Sequence, residues 1–217
     1  MKHINPIVLD FETSGLDLNT SGIWQIGAID LNNPDEFFLE EGRIDEDDLI
    51  DNNALEVVGK TEEELRDKNK QSQKQLFEMF LSWFEKRTSK NFLCQNPQWD
   101  VSWLIIRIKK YGLRRNFHHR SFDLHSIAQI KYKEVMGEFL IDNDHSGMNL
   151  SSILGFCGLK EKRKIMKNEK VIQEGKPHDA LEDCKLEGEC FSRLVYGENI
   201  FPEFKEFEVP EVLRKWK

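Results

Sequence analysis

The chain has 217 residues, of which 39% are hydrophobic, 11% aromatic and 32% charged, a composition that excludes a disordered or fibrous chain. A domain of this length buries roughly 70% of the surface its unfolded form exposes, so it needs neither disulfides nor a structural metal to fold. The formal net charge is −8, which taken alone argues against non-specific binding to a polyanion. Cys94, Cys157, Cys184 and Cys190 show no C-x-x-C spacing, so reduced thiols in a cytoplasmic protein are expected and a zinc site is not. No segment reads as a secretory leader or approaches the roughly 20 apolar residues of a membrane span. With no repeat or Pro/Gly/Ser-rich linker, residues 1–217 are expected to form one domain, with a core over about 5–197 and a tail over 198–217.

Pro6 to Glu12 is a short apolar run interrupted by Asp10 and Glu12, the pattern of a buried central strand. Ile23 to Leu31 and Glu36 to Glu41 are further strands, separated by the turn residues Asn32 to Asp35, which makes the first third a three-stranded meander. Leu65, Leu76, Phe80, Trp83 and Phe84 predict a helix over Glu62 to Lys86. Asn91 to Gln95 reads as a strand, and Asp100 to Tyr111 as a helix stopped by Gly112. Asp123 to Lys133, Leu150 to Phe156 and Ala180 to Tyr196 complete the helices. The order predicts an α/β fold with a mixed sheet flanked by helices.

Charge is unevenly placed along this chain. Residues 35–64 hold 13 acidic and 2 basic residues, whereas 101–122 hold 6 basic and no acidic ones, and 160–176 hold 7 basic against 3 acidic. The two cationic segments are candidates for phosphate contacts, with solvated helix faces as the alternative.

Most i/i+2 acidic pairs in a chain with 39 carboxylates are solvated. Asp10/Glu12 differs, because period-2 alternation puts both on one face of a strand that otherwise asks to be buried. Two ionised carboxylates there are costly unless a cation neutralises them, or unless the sheet ends at Leu9 and the pair is wet. Asp100 sits where a strand gives way to a helix, a place for a cap as much as for a ligand. In Pro177 to Asp183, Asp179 and Glu182 are spaced like a capping box that opens the last helix, leaving His178 on the preceding loop and Asp183 at the end of the first turn. Taken singly, His178 and Asp183 read as solvated.

Taken in order, D-F-E-T-S-G (Asp10 to Gly15), N-P-Q-W-D (Asn96 to Asp100) and H-D-A-L-E-D (His178 to Asp183) resemble the three motifs of the DEDDh family of 3′-5′ exonucleases. This branch of the ribonuclease H-like superfamily includes proofreading exonucleases, ribonuclease T and oligoribonuclease. The resemblance runs from Ile7 to about Val195 and implies a ribonuclease H-like, mixed five-stranded sheet flanked by helices. It further implies that Asp10, Glu12, Asp100 and Asp183 hold two divalent cations, Mg²⁺ or Mn²⁺, and that His178 is the general base, with Glu12 counted beside it as catalytic. Substrate contacts are implied at Thr13, Leu16, Ile23, Asn96 and Trp99, with Leu16 and Ile23 wedged against terminal bases; core packing is the competing reading for those two.

The implied activity is hydrolysis at the 3′ end of single-stranded DNA or RNA, releasing nucleoside 5′-monophosphates. The implied partners are that nucleic acid and, beyond it, a polymerase or a second copy of the chain; the apolar residues of the tail from Phe201 to Lys217 are expected either to pack back on the core or to dock such a partner. The alternative is a catalytically silent nucleic-acid- or polymerase-binding module of the same fold. This chain departs from the family pattern at Gln95, where relatives often have His, at Trp99, where Phe is common, and at Asp179, where a carboxylate beside His178 is expected to raise the imidazole pKa. His118, His119, His125 and His145 take no role.

Overall fold

The computed structural model of the chain describes residues 5–167 and 170–214. Its central sheet is built from β1 (Ile7–Thr13), β2 (Ile23–Asp30), β3 (Phe37–Glu41), β4 (Phe92–Cys94) and β5 (Phe122–Asp123), in the spatial order β3-β2-β1-β4-β5. The first three strands are the expected antiparallel meander, and β4 and β5 add to β1 in parallel, which makes the sheet mixed. Strand β1 continues through Thr13, so Asp10 and Glu12 lie within the ladder rather than beyond its end.

Alternation along β1 divides the molecule. Ile7, Leu9 and Phe11 point into a core filled by α3 (Gln73–Glu85) and α4 (Pro97–Lys110), where Phe77, Phe80, Phe84, Trp103 and Leu104 are buried. Val8 points to the opposite core beneath α5 (Leu124–Met136), α6 (Leu150–Phe156) and α7 (Ala180–Tyr196). Asp10 and Glu12 share the face of Val8.

The expected helix over Glu62 to Lys86 is two helices, α2 (Glu62–Leu65) and α3, with a capping box at each start, Thr61/Glu64 and Ser72/Gln75. The break comes from Asp67, whose Oδ1 accepts from the Asn69 amide at 2.9 Å, a local bond that competes with helical continuation. Sequence reading passed over α1 (Asn52–Val58), which begins on an Asp51 cap and ends on Gly59 at φ 64°, and the hairpins β6/β7 (Ile141–Asp142, His145–Ser146) and β8/β9 (Ile165–Lys167, Lys170–Gln173). Helix α4 starts three residues earlier than expected because Pro97 suits a first helical turn.

The tail packs back on its own core. Phe201, Val209 and Leu213 are buried against α7, and Arg193 donates to the carbonyls of Cys157, Phe204 and Phe207. These side chains are therefore spent on the fold; Trp216 lies outside the described residues. Among the described residues no helix is long and apolar enough to cross a membrane.

Helix α7 lies unusually close to the sheet, and Gly27 permits it. A Cβ at Gly27 would stand 2.4 Å from the carbonyl carbon and oxygen of Ala180. Gln25, two residues earlier on the same face, accepts from the Ala180 amide at 2.9 Å and donates to Asp179 Oδ2 at 3.2 Å. Gly27→Ala should thus lower stability by about 1–3 kcal/mol, the usual cost of overpacking a tight contact; an unchanged urea midpoint would mean that α7 can yield without cost.

Candidate active site

The antiparallel register sets Asp10 opposite Gly27 and Glu12 opposite Gln25. The contact that seats the start of α7 on β2 therefore also brings it over the two β1 carboxylates. Asp179 caps α7 by accepting from the amides of Leu181 and Glu182, both at 3.1 Å, while Glu182 turns outward to Lys185 in place of closing a capping box. His178 stands just before that cap, and Asp183 points inward at the end of the first turn. Glu12, His178 and Asp183 offer ligand atoms that all lie within 4.8 Å of one another. Asp10, Asp183 and the buried Asp100, from the first turn of α4, line one cleft of about 240 Å³ with Asn96, Trp99, Arg163 and Glu187. The structure so gathers the five residues that the motifs marked.

Hydrogen bonding distinguishes the two oxygens of Asp183. Its Oδ2 receives Arg163 Nη1 at 3.0 Å and faces His178 Nδ1 at 3.5 Å. Its Oδ1 is buried and receives no donor. His178 Nε2 lies 2.9 Å from the Lys164 carbonyl oxygen, which can only accept, so this nitrogen carries a proton and Nδ1 is left on the side of Asp183. Asp179, engaged by its cap and by Gln25, is spent on structure rather than on His178.

Burial, with repulsion from Asp183 and other neighbouring acids, holds the carboxyls of Asp10 and Glu12 well above their ordinary range. Burial raises Asp100 to about 7, against the opposing hydrogen bonds from its own amide and the Cys94 thiol. Burial also lifts Asp183, against the pull of Arg163 and His178. A face of carboxylate oxygens, partly unpartnered, suits a hard divalent cation. The nearby thiols do not compete, since burial keeps Cys94 and Cys184 protonated.

The remaining expected contacts divide by exposure. Leu16 is 73% exposed, whereas Ile23 is fully buried among core side chains, which leaves it to packing and corrects the expectation that it wedges against a base. Asn96 is exposed at the cleft, Trp99 is half-buried with an edge contact to Trp103, and Thr13 Oγ1 donates to the Gly15 carbonyl at 2.8 Å. The cationic segments also divide. Arg107 is buried against Asp48 and the Ser21 carbonyl, and Lys110 pairs with Asp45, Asp47 and Asp48, so these two bases serve the fold. Arg163 turns inward to Glu161 and Asp183, and Lys164 pairs with Glu56, while Arg114, Arg115 and Arg120 stay exposed.

Sequence reading missed Arg163, hidden in a run of similar bases, and Glu187. The signal for Glu187 was its spacing, one helical turn beyond Asp183 on the same face.

The sheet order, the flanking helices and the carboxylate cleft define a ribonuclease H-like α/β nuclease fold. Residues 7–191 match the family model described as exonuclease (RNase_T), and the chain belongs to that family. No curated protein matches the chain. Among solved structures, it is similar to the nuclease domain of 3′hExo, described as a DEDDh family member bound to rAMP, at 14% identity and TM-score 0.63, covering 97% of this chain and 98% of that one. Cell-death related nuclease 4 gives 17% identity and TM-score 0.61 over 87% of this chain and 62% of its own. Exonuclease I of E. coli in complex with a 5cy-dA13 oligonucleotide gives 16% and 0.63 over 96% of this chain, which spans only 42% of that protein. Membership of that family implies nuclease chemistry dependent on divalent metal.

The raised carboxyls give the metal-free protein a defined pH dependence. Groups bound more tightly to protons in the folded state stabilise it below the ordinary carboxylate range of about 4, and that contribution is lost as pH rises through the folded values, about 7 for Asp100. Between pH 5 and 8 without divalent ions, the Tm of the wild type should fall relative to that of Asp10→Asn. Parallel curves would show that the site carries no such strain.

Proposed function

We propose that the chain is a 3′-5′ exonuclease that removes nucleoside 5′-monophosphates from single-stranded ends of DNA or RNA, with two divalent cations, Mg²⁺ or Mn²⁺, held by Asp10, Glu12, Asp100 and Asp183. The observation that carries this reading is that Asp10, Asp100 and Asp183 line one cleft while Glu12 and His178 cluster around the same Asp183, whose buried Oδ1 is left without a donor. When bound, such ions supply a lower pKa for the attacking water and charge stabilisation for the leaving 3′-oxygen.

The chain's own residues supply the rest. Water attacks the phosphorus of the terminal nucleotide's 5′-phosphate, a P–O bond forms, and the bond to the penultimate 3′-oxygen breaks. His178 takes the water's proton at Nδ1, the nitrogen left free when the Lys164 carbonyl holds Nε2–H. The Lys164 carbonyl fixes the orientation of the neutral ring, and Asp183 Oδ2, 3.5 Å from Nδ1, favours the imidazolium that forms. Exposed Leu16 is the candidate to pack on the terminal base, and Asn96 and Trp99, which line the cleft, are the candidates for further contacts.

A second groove of about 380 Å³ shares Asn96 with the cleft and is lined by His119, Ser121 and the carboxylate of Asp123; the exposed Arg114, Arg115 and Arg120 lie on the loop that carries His119 and Ser121, outside the groove lining itself. This is the proposed path of the preceding nucleotides, by backbone contact without base readout. The oligonucleotide and mononucleotide in the similar structures support a nucleic-acid end as the ligand.

Incubation of end-labelled single-stranded DNA and RNA should give stepwise 3′ shortening with Mg²⁺ or Mn²⁺ and none with EDTA. Binding without cleavage under every ion condition would replace this reading with the silent binding module. His178→Ala should retain the Mn²⁺-induced rise in Tm yet lose about 10²–10⁴ in turnover, together with the ionisation that limits wild-type rate at low pH. An Arg114→Glu/Arg120→Glu variant should bind ends more weakly with a shallower salt dependence, while single-turnover rates at saturation stay near wild type. Unchanged binding at low salt would remove that loop from the substrate path.

A further inference from the structure

Helix α7 buries two glutamates with opposite fates. Glu189 is fully buried and saturated: Oε1 receives Arg193 Nε at 2.8 Å, and Oε2 receives the amides of Ile200 and Phe201 at 3.0 and 3.1 Å. Asp48, at 2% exposure, is likewise supplied by Gln73, Arg107, Lys110 and the Asp45 amide. Glu187 is as buried, at 2% exposure, and its Oε2 receives no donor from the protein. Among the described residues only one other carboxylate oxygen is buried and unpartnered, Oδ1 of Asp183. Both residues line the same cleft, one helical turn apart.

A carboxylate is rarely buried without a partner, because an unsatisfied buried acceptor carries the full cost of its desolvation. Packing alone does not account for Glu187, since an apolar side chain of similar size would fill the space without that cost. Only the Gln95 backbone amide, on the wall of the cleft, hydrogen-bonds its carboxyl. Its neighbours Asp10, Asp100 and Asp183 repel it, and Arg163, already bound to Asp183 and Glu161, offsets only part of that repulsion. A cation is the partner that turns this arrangement from repulsive to favourable.

Resting on the two-cation reading above, we infer that Glu187 is a fifth member of the cation-holding cluster, a positioning residue that strengthens ion binding from the α7 wall. The three motifs end at Asp183, so this assignment comes from burial and the orphaned oxygen, not from the motif residues. Mg²⁺ and Mn²⁺ commonly retain waters when bound by protein carboxylates, and groups that hold such an outer shell typically contribute 10–100-fold in affinity.

The test is calorimetric titration of the metal-free protein with Mn²⁺, without substrate, in the wild type and in Glu187→Gln. The expected result is a 10–100-fold weaker Mn²⁺ affinity in Glu187→Gln, with a metal-free Tm no lower than that of the wild type. Glu187→Asp, which keeps the charge, should recover part of the affinity. If Glu187→Gln does not fold, Glu187→Met is titrated in its place with the same expected loss. A wild type that binds Mn²⁺ while the neutral variant binds it equally well overturns the role of Glu187 alone. A wild type that takes up no Mn²⁺ overturns the cation site itself and this inference with it.

Discussion

The site depends on one close approach, the start of α7 against the backbone of β2 at Gly27. No side chain larger than hydrogen fits there, because an added Cβ would meet the Ala180 backbone at 2.4 Å. The same contact fixes the cap, since Gln25 binds both the first amide of α7 and the capping carboxylate of Asp179. The register makes this consequential. Gly27 and Gln25 sit across from Asp10 and Glu12, so a one-residue slip would move both acids to the aromatic core of α3 and α4. Sheet register, helix approach and carboxylate geometry are one constraint.

That constraint works against electrostatics. Asp10, Glu12, Asp100, Asp183 and Glu187 are held close together in a poorly solvated place, and burial with mutual repulsion raises Asp10, Glu12 and Glu187 well above the ordinary carboxylate range. Arg163 offsets part of this by binding Asp183 Oδ2, and Glu161 in turn holds Arg163 through three hydrogen bonds, two from the guanidinium and one from the backbone amide. The rest of the fold must hold the cluster in place. It does so with the buried Arg193–Glu189 pair that ties α7 to the tail, and with two cores on either side of β1. Stability is concentrated behind the site, and the strain faces the cleft.

The parts legible in sequence were those with strong local signals. The β1 run shows its alternation, the meander its Asn-Asn-Pro-Asp turn, and α7 its Asp179 cap. The five motif residues were legible as a set because their order and context matched, although Asp100, His178 and Asp183 each read as ordinary when taken alone. What stayed hidden was set by tertiary contact. The turn at Asp67 breaks a segment whose apolar period runs on, and Arg107 looks like any base on a helix until Asp48 is brought beneath it. Ile23 follows the first motif at a tempting distance, but its place in the β2 ladder points it into the core. Arg163 and Glu187 escaped for the same reason: their roles exist only once the hairpin and α7 meet at the cleft.

The charge of the chain follows a similar logic. A net charge of −8 would repel a polyanion if it were spread evenly. The structure places much of it away from the cleft and neutralises some of it internally, with Arg107 and Lys110 set against Asp45 to Asp48, and Arg66 bound to Glu62 and to the carbonyls of Asp45 and Asp48. The acidic run and part of the first basic segment are thus partners in one structural patch. Of the four bases of that segment left over, Lys109 lies at the end of α4, and Arg114, Arg115 and Arg120 lie exposed on the loop that also carries His119 and Ser121. At short range, local placement rather than net charge decides the attraction, because exposed charges beyond about 8–10 Å are largely screened at physiological salt.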